Sequence, residues 1–98
     1  MTQVSARQAH DDVVRGQILD LLKQGYTVQA RLEGWFERPD KICGYVPDIV
    51  AKQGSDMLII EVKLSEGDWP KLVALRRFVE QHKGARLEVL EPQLANVI

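Results

Sequence analysis

Three ionisable residues stand in a segment that otherwise resembles an apolar β-hairpin. Residues 44–67 read GYVPDIVAKQGSDMLIIEVKLSEG, two apolar stretches joined by a polar turn, and they include Asp48, Glu61 and Lys63. Two carboxylates and one ammonium group, if the fold brings them together, suit the binding of a divalent cation and the stabilisation of charge on a phosphoryl oxygen. The chemistry therefore depends on how the two strands pair.

The turn predicts that pairing. Gly54-Ser55 suits a two-residue type II′ turn, which takes glycine at its first central position. With this turn Asp48 falls directly opposite Glu61, and Lys63, two residues further on, shares the face of Glu61. Opposed carboxylates repel each other, and burial on an apolar sheet increases the cost. We therefore expect a divalent cation between Asp48 and Glu61, with Lys63 orienting the attacking water or stabilising the transition state.

A structural interpretation competes with this one. Glu-Val-Lys on a strand is most often a solvated face that carries an ordinary ion pair. Two features weigh against it here. The preceding MLII is apolar on both faces, which is typical of an interior strand. Asp48 also faces Glu61, so two negative charges are directly opposed, which does not occur in a ladder of ion pairs.

The same residues resemble a known signature. Pro47-Asp48 followed by Glu61-Val62-Lys63 is similar to the motif of the PD-(D/E)XK nuclease superfamily, and the resemblance covers nearly the whole chain. Small Holliday-junction resolvases and restriction-like nucleases look closest in size. The resemblance implies a hydrolase that cleaves DNA phosphodiester bonds with Mg²⁺ or Mn²⁺. It also implies that Asp48, Glu61 and the Val62 carbonyl bind the metal and that Lys63 assists the nucleophile.

Many members of that superfamily add an acidic residue from the first helix. Asp11 falls on the same helical stripe as Val14 and Ile18, where a carboxylate is costly unless it reaches a metal or a partner. It could equally lie in the first turns of the helix, where the helix dipole favours an acid. Gln17, at the edge of the stripe, is the alternative.

Candidate substrate contacts lie in loops and on the second helix. Trp35 either contacts bases or covers the core, and Arg76 either is solvated or contacts phosphate. The full set of substrate-binding candidates is Gln17, Trp35, Arg38, Lys41 and Arg76.

The elements that must position these residues follow from capping and periodicity. Ser5, with Gln8 three residues later, predicts the start of a helix, and SEGDWP predicts the start of a second, with Ser65 or Asp68 as its cap. The predicted strands are 26–33, 46–52, 57–64 and 85–90. The fold class is therefore α/β, with an αβββαβ order in which the last strand runs parallel to the third. We expect a restriction-endonuclease-like, four-stranded mixed sheet flanked by two helices.

Composition sets further limits. The 98 residues predict a single domain, 1–98, with ordinary hydrophobic (45%) and charged (28%) content. The formal net charge of −1 argues against a DNA binder that relies on an overall basic surplus. One cysteine excludes an internal disulfide bond. The longest apolar run, MLII, is too short for a membrane span, and no signal-peptide pattern is visible, so we expect a cytoplasmic protein.

Three functions remain open. The first is a metal-dependent endonuclease or junction resolvase acting on linear or branched DNA; the alternative is a catalytically silent nuclease-fold subunit for DNA binding or protein assembly. A small interaction domain with structural ion pairs is a third. Because symmetric DNA targets are matched by twofold dimers, we predict a homodimer or a subunit of a larger complex, with loop 34–44 or the second helix near the interface.

Overall fold

The computed structural model describes residues 5–35, 37–63 and 69–91. The elements, in chain order, are α1 (Ala6–Lys23), β1 (Thr27–Ala30), β2 (Ile49–Gln53), β3 (Asp56–Val62), α2 (Trp69–Gln81) and β4 (Ala85–Leu90). The predicted αβββαβ order is confirmed. The predicted caps of the second helix, Ser65 and Asp68, lie outside the described residues.

Local hydrogen bonding explains where the first helix starts and why two strands are shorter than predicted. Ser5 caps α1, its hydroxyl accepting a hydrogen bond from the Gln8 amide at 3.1 Å. β1 ends at Ala30 because a turn follows, in which the Trp35 amide donates to the Leu32 carbonyl at 3.0 Å. β2 starts at Ile49 rather than at 46, just after Pro47, which has no amide hydrogen for a ladder.

The sheet is mixed, with the strand order β1-β2-β3-β4. β1, β2 and β3 form an antiparallel meander, and β4 pairs with β3 in parallel, as predicted. Helix α2 lies in the connection from β3 to β4 and packs against β4. The parallel pairing extends one residue past β3, where the Lys63 amide donates to the Leu90 carbonyl at 2.7 Å.

The β2–β3 hairpin has the register that its turn predicts. Gln53 pairs with Asp56, and the ladder continues to the pair Ile49–Ile60. Gly54 has a φ of +60°, and the following serine is not among the residues with positive φ, which agrees with a type II′ turn. One step beyond the last ladder pair, Asp48 faces Glu61.

Helix α1 covers one face of the sheet. Its residues Val14, Ile18 and Leu21 are buried, and each fully buried aliphatic side chain contributes about 1.5–3 kcal/mol. The cluster that they form with the strands and the loop after β1 also contains Val28, Ala30, Leu32, Ile49, Ala51, Leu58, Ile60 and Val62. By alternation Ile59 and Glu61 belong to the opposite face, which is the face of α2. None of the described helices combines the length and the hydropathy that a bilayer crossing requires.

Gly84 makes a close contact between the end of α2 and the hairpin turn. Its φ is +88°, and a Cβ atom at this position would lie 2.7 Å from the Ser55 carbonyl oxygen. We predict that Gly84→Ala lowers the free energy of unfolding by about 1–3 kcal/mol through backbone strain alone, with the clash adding to it. Chemical denaturation measures this change.

Gly16→Ala is the matched control. Gly16 lies within α1 with open space around it, so the same substitution should stabilise the protein by about 0.5–1 kcal/mol. Equal effects of the two substitutions would contradict the contact between Gly84 and the turn.

Candidate functional site

Two side-chain carboxylates continue the β2–β3 pairing beyond the end of the ladder. Asp48 Oδ2 accepts a hydrogen bond from the Val62 amide at 2.9 Å, and Glu61 Oε1 accepts one from the Asp48 amide at 2.8 Å. Each strand thus supplies a carboxylate to a backbone amide of the other. We refer to Asp48 and Glu61 as the carboxylate pair.

The carboxylate pair is buried together with a lysine from α2. Glu61 Oε2 lies 3.0 Å from Lys71 Nζ, and the exposed fractions of Asp48, Glu61 and Lys71 are 4%, 6% and 7%. The predicted lysine is elsewhere: Lys63 Nζ lies 4.3 Å from the centroid of the Trp69 ring. The structure therefore places Lys71, and not Lys63, on the carboxylate pair.

Lys71 was not predicted as a site residue, although the sequence contains a signal for it. Lys71 precedes Leu72 and lies four residues before Leu75, so it belongs to the buried stripe of α2. A lysine on such a stripe needs a buried partner, because an unpaired charge there is costly.

Helix α1 contributes a histidine and an acid beside Asp48. His10 Nε2 lies 3.2 Å from Asp48 Oδ1, and His10 Nδ1 lies 3.2 Å from Asp11 Oδ1. A neutral imidazole carries only one N–H, so only the protonated ring donates to both carboxylates. His10 was not predicted as a site residue, although it lies one turn before Val14 on the buried stripe of α1. Asp11, half-buried, reaches Asp48 through this ring.

Burial raises the pKa of Glu61 above its usual value, and the negative charge of Asp48 raises it further. The hydrogen bond and the charge of Lys71 oppose the rise, as does the hydrogen bond from the Asp48 amide. The carboxylate pair therefore carries electrostatic repulsion that Lys71 offsets only in part. Another cation near Asp48 and Glu61 would reduce it.

Two neighbouring clefts open beside the carboxylate pair. The first cleft has a volume of about 650 Å³ and includes Asp48, while the second has about 470 Å³ and includes Lys71. Arg31 and Arg38 line both clefts. The other residues of the first cleft are Arg7, His10, Asp11, Leu32 and Glu33, and those of the second are Pro39, Gly44, Tyr45 and Val46.

The predicted substrate-binding residues separate in the structure. Arg38 lines both clefts, whereas Gln17, Lys41 and Arg76 are not among the described residues that line either. Trp35 packs against the core cluster, and its Nε1 donates to the Val28 carbonyl at 3.1 Å. It therefore covers the core, which was one of its two interpretations.

The donor chemistry of the site fits a hard divalent cation. Mg²⁺ prefers carboxylate oxygens and keeps several waters, so it requires only one or two carboxylates from the protein. Asp48 and His10 both line the first cleft, and each carboxylate oxygen of Asp48 has a second lone pair beyond its present hydrogen bond. Among residues 5–35, 37–63 and 69–91 no group of three or more His, Cys, Asp or Glu side chains converges as a ligand set.

No protein-family model and no curated protein sequence matches this chain.

The raised pKa of Glu61 predicts a specific dependence of stability on pH. Because the folded state favours protonated Glu61, its contribution is fully present below the unfolded pKa of about 4.3 and is lost as the pH rises through the higher folded pKa. Relative to Glu61→Gln, the wild type should therefore lose unfolding free energy as the pH rises through this window. Urea denaturation at a series of pH values measures the difference.

Glu88→Gln is the control, since Glu88 is an exposed glutamate on β4. Groups that are common to all three proteins contribute to each of them, so their contributions largely cancel in the differences. A difference between wild type and Glu61→Gln that stays constant with pH, or that changes in the opposite direction, would contradict the raised pKa.

Proposed function

We propose that this protein is a metal-dependent phosphodiesterase acting on DNA, with an active site of the PD-(D/E)XK type on a restriction-endonuclease-like fold. One observation carries the proposal: Asp48 and Glu61 are buried side by side, with a lysine on one of them, at the edge of clefts lined by arginines. A buried pair of like charges costs stability, so its presence favours a role in binding or catalysis.

Asp48, Glu61 and the Val62 carbonyl would hold the ion, with Asp11 as a further carboxylate nearby. When bound, Mg²⁺ or Mn²⁺ supplies an activated water and a Lewis acid for the phosphodiester. The chain fixes the ligands in advance: the amides of Asp48 and Val62 orient the two carboxylates, and His10 orients Asp48 from α1. Such fixed orientation lowers the reorganisation needed during the reaction.

We assign the role of the catalytic lysine to Lys71. Its ammonium group is buried beside Glu61 and lines the second cleft, where it can stabilise charge that develops on the phosphoryl oxygens. Lys63, which the PD-(D/E)XK resemblance implies for this role, is the rival. Its ammonium group lies over Trp69, on which it makes a cation–π contact.

A catalytically silent subunit is the second candidate function. It is favoured by the observation that all four oxygens of the carboxylate pair have donors within the protein, namely two backbone amides, Lys71 and His10. A network that is satisfied internally can be structural. In that case DNA or a partner chain would bind without cleavage.

The homodimer stays a prediction, and α2 offers one surface for it. Trp69 and Val73, one turn apart on α2, are 60% and 46% exposed. The other predicted location, loop 34–44, contributes Gly34, Trp35, Arg38, Pro39 and Gly44 to pockets of the surface.

The first test is DNA cleavage with Mg²⁺ or Mn²⁺, measured on a panel of linear and branched substrates. We predict that the wild type cleaves DNA. In Asp48→Asn the cleavage rate should fall by more than roughly 100-fold, which is the upper end of the loss seen when a residue that only contacts a metal ligand is changed. Mn²⁺ should raise the melting temperature of the wild type and leave that of Asp48→Asn unchanged.

Asp56→Asn is the matched control, because Asp56 is an exposed acid at the hairpin turn of the same strand pair. It should keep both the cleavage and the thermal shift. A wild type without cleavage on any substrate, and without a shift in melting temperature, would contradict the proposal and support the silent subunit.

The second test separates the two lysines. Lys71→Met should abolish cleavage and, because it leaves Glu61 without its buried partner, lower the unfolding free energy by about 3–5 kcal/mol. Lys63→Ala removes a cation–π contact with the exposed ring of Trp69, worth about 0.5–1 kcal/mol, and should keep cleavage within a few-fold of wild type.

Cleavage is measured at a temperature where each variant is folded, as judged by circular dichroism. Lys71→Arg keeps the positive charge, so its free energy of unfolding should be higher than that of Lys71→Met. If Lys63→Ala abolishes cleavage while a folded Lys71→Met retains it, the catalytic role belongs to Lys63.

A further inference from the structure

Three arginines from separate parts of the chain meet at the clefts. Arg7 comes from α1, Arg31 follows β1, and Arg38 lies in the loop between β1 and β2. Within the part of the chain that the structure describes, none of the three forms a salt bridge, although other arginines and lysines do. Three acids, Asp11, Glu33 and Asp48, line the first cleft beside the arginines. No acid is among the described residues that line the second cleft, where Lys71 joins Arg31 and Arg38, so the positive charge is concentrated there.

Arg31 is tied directly to the carboxylate pair through the backbone. Its amide donates to the Asp48 carbonyl at 2.8 Å, so its Cα has a fixed position beside Asp48. Its side chain is exposed and lines both clefts. A guanidinium group placed in this way is available to a ligand that approaches Asp48.

Arg38 is held in place by the loop that carries it. The Ala30 amide donates to the Glu37 carbonyl at 2.9 Å, which joins this loop to β1. The next residue after Arg38, Pro39, is buried, and Ile42 and Tyr45 close the loop through hydrogen bonds of 2.7 and 3.0 Å. The loop is therefore anchored on both sides of Arg38.

We propose that Arg31 and Arg38 bind the phosphates of one DNA strand and position it across the carboxylate pair, independently of base sequence. One guanidinium group can donate two parallel hydrogen bonds to the oxygens of a phosphate. Such phosphate contacts fix the position and register of the strand on the protein and do not depend on the bases. Arg31 and Arg38 line both clefts, the first together with Asp48 and the second together with Lys71, so the two arginines border the space next to both charged partners of Glu61. Among the described residues that line them, Tyr45 is the one phenylalanine, tyrosine or tryptophan. This inference rests on the proposed function, and it adds the class of ligand contact.

The experiment measures binding of fluorescein-labelled single-stranded oligodeoxynucleotides by anisotropy, in EDTA so that cleavage cannot occur. Arg31→Gln and Arg38→Gln should each weaken binding about tenfold, because each removes a charge-assisted phosphate contact. The slope of log K against log salt should fall by about 0.7 for each arginine removed. Mixed-sequence, oligo-dT and oligo-dC strands should bind wild type within a few-fold of one another.

Two variants serve as matched controls. Arg77→Gln removes an exposed arginine of α2 that lines neither cleft and should leave both affinity and salt slope unchanged. Arg38→Lys keeps the charge and loses the two-pronged geometry, so it should keep the salt slope while losing part of the affinity. Melting temperatures confirm that each variant is folded.

The outcomes separate this inference from the proposed hydrolysis. Arginine variants that bind like wild type with the same salt slope, strong dependence on base sequence, or a wild type that does not bind the strand, would each overturn the inference. A wild type that binds through Arg31 and Arg38 but never cleaves would overturn the hydrolysis and leave strand binding standing. A wild type that cleaves while the arginine variants bind and cleave normally would overturn the strand-binding role alone.

Discussion

The hydrogen bonds of Asp48 hold the site together. Its amide donates to Glu61, its carbonyl accepts from Arg31, and its two carboxylate oxygens meet the Val62 amide and the His10 ring. One residue thereby connects β2 to β3, to the chain after β1 and to α1. Glu61 adds α2 through Lys71, so the positions of most described elements at this end of the sheet depend on the carboxylate pair.

Electrostatics sets the cost of this arrangement. Two neighbouring carboxylates with little solvent exposure repel each other, and the raised pKa of Glu61 expresses that cost. Replacing a buried ionic network by apolar residues is often neutral or stabilising, so the network is weak support for stability as such. The apolar cluster between α1 and the sheet supplies burial that can offset it. A protein that keeps charges at this position does so at the expense of stability, in agreement with a role in function.

The features that could be predicted from the sequence are those that local chemistry decides. The register of the hairpin follows from Gly54 in the turn, and the αβββαβ order follows from periodicity and capping. The juxtaposition of Asp48 with Glu61 followed from the same turn. Strand ends were less predictable, because Pro47 and the turn after β1 shorten the pairing.

The partners of the carboxylate pair could not be predicted in the same way. Lys71 and His10 reach it from helices, and their contacts depend on how α1 and α2 dock on the sheet. Alternation alone put Lys63 near Glu61, but β3 ends at Val62 and the ammonium group of Lys63 finds Trp69 instead. The arginines of the clefts likewise come together only through the tertiary structure.

The positions of the carboxylate pair and its partners along the chain have a consequence for folding. Asp48, Glu61, Val62 and Lys71 all lie within residues 48–71, whereas His10, Asp11 and Arg31 come from earlier in the chain. Contacts that close short loops form with a smaller loss of chain entropy than distant ones. We therefore expect the hairpin and its carboxylates to associate early, as a nucleus on which α1 docks later. The carboxylate pair and Lys71 would then come together within one segment of the chain, and His10 would join them when α1 docks.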